Sequence, residues 1–138
     1  MRRTAVLIPA LAAGLAAGLA AGAAMANGGG HLWGSSWQVT SVDAMDIAPA
    51  DGVTIAFTDG RIAGRSGCNQ YTGPVTLRAD RVAVGDVAGT RMACPGRAME
   101  VERAFLAALG QVTGWRMAED GALELVAGDT VLVRAVSP

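Results

Sequence analysis

The feature that most restricts how this chain can fold is its punctuation. From Trp37 to Val136, short runs of alternating apolar and polar residues are separated by turns rich in Gly and Asp. Val53, Ile55 and Phe57 alternate with Thr54, Ala56 and Thr58, and Asp59-Gly60 follows at once. A period of two puts every second side chain on one face of a strand. Asp-Gly then marks a hairpin, because Gly supplies the positive φ of a tight primed turn. Residues 62–64 begin the return strand. Trp37 and Val39, continued by Ser41, point one way, and Gln38 and Thr40 the other. Gly73-Pro74 marks a bend before a strand over 75–77, and Ala79-Asp80 is a turn. Val82 and Val84 resume the alternation and Val87 extends it. Strands over 115–117, 123–126 and 131–136 are divided by Glu119-Asp120-Gly121 and Gly128-Asp129. This is hairpin spacing, not the spacing of βαβ crossovers.

One segment departs from the pattern. Met99, Val101, Ala104, Phe105, Ala108 and Leu109 fall on one face at helical spacing. Pro95 and Gly96 precede the segment, and Gly110 is placed to close it in a left-handed conformation. The fold class is therefore α+β: mainly antiparallel sheet with one packed helix.

The N-terminus reads as a secretory signal peptide over residues 1–26. Arg2 and Arg3 form the basic region, an Ala- and Leu-rich run follows, and Ala24-Met25-Ala26 offers the small residues of a cleavage site. No cysteine lies near that site to carry a lipid anchor. Residues 27–34 are a flexible lead-in, and 35–138 form one domain, a length that supports a single core. Periplasmic or secreted localisation follows, with no stable membrane insertion after cleavage. Removing the leader takes the basic residues from 11 to 9 against 12 acids, so the net charge moves from −1 to −3. There is no lysine. A mildly acidic chain gives no reason to expect nucleic acid or anionic lipid as a partner.

The only two cysteines lie in two unusual segments, Gly64-Arg65-Ser66-Gly67-Cys68-Asn69-Gln70-Tyr71-Thr72-Gly73 and Gly89-Thr90-Arg91-Met92-Ala93-Cys94-Pro95. Gly67-Cys68-Asn69-Gln70-Tyr71-Thr72-Gly73, then Thr90-Arg91-Met92-Ala93-Cys94, then a helix with Glu102 and Phe105-Leu106, resembles the META domain family, also called the HslJ-like heat-shock protein family. The resemblance runs from Trp37 to the last strand. It implies a small β-rich domain, a partly open barrel with a helix against the sheet, in an envelope or secreted setting tied to stress. It implies no settled biochemical activity. Pro74 departs from the family pattern, at a position where a strand residue is more usual.

An even cysteine pair in an exported domain points to a Cys68–Cys94 disulfide, with buried free thiols and a redox pair as alternatives. Gly64, Gly67, Gly73 and Asn69 read as bends and close backbone approaches. A phosphate loop would want a Gly-Lys-Ser/Thr continuation, which is absent. Thr90 and Arg91 could hold an anion, but a carboxylate inside the fold, Asp86 or Glu102, is the better partner for Arg91. Glu100/Glu102 and Glu119/Asp120 read as solvated charge. His31 has no companions for a metal site or a triad. Trp37 and Trp115 have strand positions facing a core, while Trp33 stands outside the strands and exposed. The expectation is a non-enzymatic, monomeric accessory or binding module for an envelope protein, with no cofactor. A carrier of a small apolar ligand between sheet and helix is the alternative, and a thiol-redox protein the third.

Overall fold

The computed structural model describes residues 32–138; the expected signal peptide, most of the expected lead-in and His31 lie outside the described residues. The alternating runs become strands β1 (Ser36–Val42), β2 (Met45–Asp46), β3 (Thr54–Thr58), β4 (Arg61–Arg65), β5 (Gln70–Arg78), β6 (Arg81–Val84), β7 (Ala88–Gly89), β8 (Gly114–Met117), β9 (Leu123–Ala127) and β10 (Thr130–Val136). Helix α1 (Arg97–Leu109) lies between β7 and β8, and a short 3-10 turn covers Pro49–Asp51.

Among the described residues every pairing is antiparallel. Around the sheet the order is β1, β3, β4, β5, β6, β8, β9, β10, and β10 returns to β1, so eight strands close a barrel. β2 and β7 are short additions to β1 and β5. The partly open barrel expected from the resemblance is thus corrected: register from Gln38↔Val136 to Val42↔Val133 closes it. The narrowest seam is β6–β8, with Arg81↔Gly114 as its register pair. There the Val82 N–H donates to the Thr113 carbonyl at 3.1 Å, and the Trp115 N–H to that of Asp80 at 2.9 Å.

The inward residues fill the barrel. Val39, Ile55, Phe57, Ile62 and Val133 are all buried, and α1 packs on β1 and β10 to add Val101, Phe105, Ala108 and Leu109 to the same core. Tyr71 and Phe105 meet edge to face, with ring centroids 5.4 Å apart. Each such large side chain contributes about 1.5–3 kcal/mol by leaving water. The Trp37 indole donates to Ser35 Oγ, and that of Trp115 to the Ala79 carbonyl, so both sit in the core with their polar atom satisfied.

Several local expectations are corrected. A bulge between Val39 and Ser41 reverses the facing of β1, so Val42 and not Ser41 is buried. At the β3–β4 hairpin Gly60 takes φ 72° while Asp59 stays at negative φ, so the turn is not the primed type I′. Gly110 is right-handed at φ −68°, and the helix end runs on as a tightened turn through Gln111 and Val112. Trp33 is half-buried against the core. β5 passes through Gly73-Pro74 without a break. Pro74 is tolerated because it lies where β5 changes partner from β7 to β6. Its ring faces the Gly85 bend, where a Cβ would come within 2.7 Å of it.

Candidate functional site

Ser66, Gly67, Cys68 and Asn69 form the connection from β4 to β5, and the chain here is pressed against α1. Gly67 has φ 120°, and a Cβ on it would lie 3.0 Å from the Ala98 carbonyl oxygen. Gly64, one turn earlier, crosses β3 so closely that a Cβ would stand 2.2 Å from the Thr54 carbonyl oxygen. Gly64 accepts only hydrogen, and at Gly67 the positive φ strains any side chain while the helix backbone leaves it little room. Gly73 is buried beside Val87.

The close approach brings the Ser66–Asn69 turn onto the carboxylate of Glu102, which is 6% exposed. The Asn69 N–H donates to Glu102 Oε1 at 2.7 Å, and Asn69 Nδ2 to Oε2 at 2.8 Å. The Ser66 hydroxyl lies 2.5 Å from Oε1 and 2.9 Å from the Asn69 carbonyl oxygen; its one proton goes to the charged acceptor. Burial pushes the Glu102 pKa up. The donors Ser66, Asn69 and the Cys68 N–H outweigh it, and the carboxyl is held below its ordinary value. The expectation of solvated charge at Glu102 is therefore corrected. Its spacing to Phe105 and Leu109 is that of one helix face, and this was the signal in the sequence that places it inside.

Asn69 then faces the other way and holds the second segment. Its Oδ1 accepts from the Met92 N–H at 2.7 Å and from Thr90 Oγ1 at 2.9 Å, while Nδ2 also donates to the Met92 carbonyl at 3.1 Å. Thr90 Oγ1 in turn accepts from the Gln70 N–H at 3.1 Å. Two residues later Cys94 is bonded to Cys68, with Cα atoms 5.9 Å apart. The second segment is thus clipped at Thr90, Met92 and Cys94, and all three clips end on residues 68–70.

The side chains left over point outward. Arg91, Met92 and Ala93 are exposed, Met92 by 59%. Arg91 makes no ion pair among the described residues, which corrects the expectation that Asp86 or Glu102 holds it. Asp86 is exposed, and Glu102 is engaged by Asn69 and Ser66. Glu100 and Glu119 are exposed; Asp120 is exposed and paired with Arg134. At the start of α1, Arg97 pairs with Asp51 at 2.8 Å and donates to the Asp46 carbonyl. The Arg97 guanidinium holds the Asp51 carboxyl at about 2. Next to the clipped loop, on the outer wall of β4, β5 and β7, lies a groove of about 610 Å³.

An antiparallel barrel packed with one helix, with a disulfide and a buried Asn–Glu pair clipping one loop, defines a small β-barrel domain. The META domain model matches residues 30–137, and the chain belongs to the META domain family. Two solved structures are similar. One, an NMR structure of a protein from Burkholderia xenovorans, is 25% identical with a TM-score of 0.63, over 78% of this chain and 84% of that one. The other, also an NMR structure, is 21% identical with a TM-score of 0.59, over 76% and 91%. Comparison with curated proteins finds no match.

Proposed function

We propose that this domain is a non-enzymatic binding module, exported to the periplasm or beyond, that serves as an accessory in envelope stress. The observation that carries the reading is how the motif residues are used. Glu102, Asn69, Ser66 and Thr90 spend their hydrogen-bonding groups on one another, and the cysteines on a disulfide. A general acid or base needs a face free to meet its substrate. What the network holds out to solvent is the loop carrying Arg91 and Met92. A preorganised exposed loop suits recognition, because its ordering cost is met on folding.

The disulfide fits an oxidising compartment. The packing speaks against an apolar carrier: Phe57, Phe105, Ile55, Ile62 and Leu109, all under 2% exposed, occupy the space between sheet and helix. Of the two bonded sulfurs, that of Cys68 (4% exposed) is closed to an attacking thiolate, and Cys94 is half-buried.

The test is site-specific photocrosslinking in an exporting host, with the photoreactive residue at Met92 and, as a control, at Thr130. A discrete adduct from position 92 that is missing from position 130 is the expected outcome. No adduct from position 92, or a catalytic activity that disappears in Glu102→Gln while the fold persists, would overturn the reading.

A further inference from the structure

The net negative charge of the chain conceals an uneven placement of its arginines. Arg97, Arg116 and Arg134 are ion-paired. Among the described residues Arg61, Arg65, Arg78, Arg81, Arg91 and Arg103 are not. All of these except Arg103 lie on one wall, the outer faces of β4–β6 and the loop after β7. Of the carboxylates near this wall, Asp59 and Asp80 sit in turns and Asp86 in the connection from β6 to β7, and among the described residues none is paired with an arginine.

The groove of about 610 Å³ lies in the middle of this wall, and Arg65 is the charged residue in its lining. Its floor is small: Ala63, Gly64, Ala88 and Gly89, with Thr72 between them. In register Ala63 faces Thr72, and Thr72 faces Ala88. Arg61 and Arg65 stand four residues apart on β4, about 13 Å. Arg61 Nε and Nη2 donate to Thr72 Oγ1 at 3.3 and 3.1 Å, which holds the guanidinium across the groove end with donors to spare. Arg91 follows Thr90 at the far side.

The groove also borders an open strand edge. Among the described residues β7 pairs with β5 alone. The Thr90 N–H is turned to β5, donating to the Gln70 carbonyl at 3.0 Å. By the alternation of an antiparallel ladder, the N–H and C=O of Gly89 face away from β5. An added strand would sit three strand spacings from β4, about 14 Å. Only small side chains stand between it and Arg65.

We propose that this groove binds an extended acidic polypeptide segment, added as a strand along β7, with its carboxylates directed to Arg65, Arg61 and Arg91. The proposal rests on the binding-module reading and names its partner class. A polypeptide is the partner that can use a free strand edge. The arginines are bidentate donors suited to carboxylates. Their spacing is sparse against a nucleic acid, whose duplex carries a charge every ~1.7 Å of axis. The exposed large apolar residues of the described chain are Met92, Met117 and Val136, so this wall offers no aromatic platform for bases.

The test measures fluorescence anisotropy of the full chain with a labelled peptide of alternating Glu and Thr. Four comparison probes are used: the same peptide with Lys for Glu, the same peptide N-methylated at alternate amides, oligothymidylate, and phosphatidylglycerol vesicles. The Glu peptide is expected to bind in a salt-dependent way. Arg65→Glu or N-methylation should each weaken it by about tenfold or more, with the melting temperature of the variant unchanged. Equal binding by Arg65→Glu, equal binding of the N-methylated peptide, or tighter binding of oligothymidylate or the vesicles would overturn the proposal. If the Met92 crosslink forms while the Glu peptide does not bind, this proposal fails and the binding-module reading survives. If the crosslink is absent, that reading fails on its own evidence.

Discussion

Replacing Glu102 by Gln tests the buried network with the smallest change of shape. One oxygen becomes an NH2 group. The remaining oxygen can still accept from Ser66 and the Asn69 N–H, which now converge on Oε1. The new NH2 then faces Asn69 Nδ2, which lies 2.8 Å from Oε2 in the native protein. Two donors meet. Asn69 cannot relieve this by flipping, because its Oδ1 already accepts from Met92 and Thr90. One charge-assisted hydrogen bond is lost and a buried donor is left without a partner, which costs about 2–4 kcal/mol. For a domain of this size that is a fall of about 8–16 °C in Tm. Chemical denaturation and thermal melting at neutral pH read it directly. The pH dependence gives a second readout. The carboxyl of Glu102 is held low in the folded state, so its contribution is complete above its unfolded pKa and is lost as pH falls through the folded one. The gap between the native protein and Glu102→Gln should therefore be largest near neutrality and narrow in acid. A variant within about 0.5 kcal/mol of the native protein would refute the reasoning.

Three further perturbations follow from the same structure. Cys68→Ser opens a bridge spanning 26 residues and should cost about 3.5 kcal/mol, with the native protein in reductant falling to the same level; equal stability of oxidised and reduced forms would contradict this. Gly64→Ala drives a Cβ to 2.2 Å from the Thr54 carbonyl, and the expected result is a loss of more than about 3 kcal/mol or no folded protein, against a retained melting curve if the approach is not needed. Tyr71 is the single tyrosine, and burial pushes its phenol up while its hydroxyl donates to the Thr54 carbonyl at 2.9 Å. An absorbance titration should show phenolate only as the protein unfolds; a transition near pH ~10 in the folded state would contradict the burial.

How much of this was legible in the sequence depends on the range of the interaction. The alternation of Val53, Ile55 and Phe57 reports a local property, and all three are buried as their facing requires. The helix was legible for the same reason. Closure of the barrel was not, because β1 and β10 pair across almost the whole domain, and a period of two says nothing about which strand lies alongside. The bulge in β1 reverses facing within one residue and moves burial from Ser41 to Val42, a shift that depends on β10. Glu102 was misjudged because a carboxylate on a helix is ordinarily solvated, and its donors come from a turn 33 to 36 residues earlier. The partner expected for Arg91 rested on guanidinium chemistry and sequence position; the loop is clipped through the Thr90 hydroxyl and the Met92 backbone, which leaves the Arg91 and Met92 side chains outside. The cysteine pair was readable because the chain has only two cysteines, which leaves a single possible pairing within it. The arginine wall was hidden by the net charge, since a sum over the chain carries no information about which strand faces the charges share.

The central claim is that the Asn69–Glu102 pair clips the exposed loop in place, and amide hydrogen exchange at Met92 measures this most directly. The Met92 side chain is 59% exposed, so exposure alone predicts a fast-exchanging amide. The hydrogen bond to Asn69 Oδ1 at 2.7 Å predicts a protected one. The account requires slow exchange at Met92 and Asn69, fast exchange at Ala93, and loss of the Met92 protection in Asn69→Ala. A Met92 amide that exchanges as fast as that of Ala93 in the native protein would contradict it.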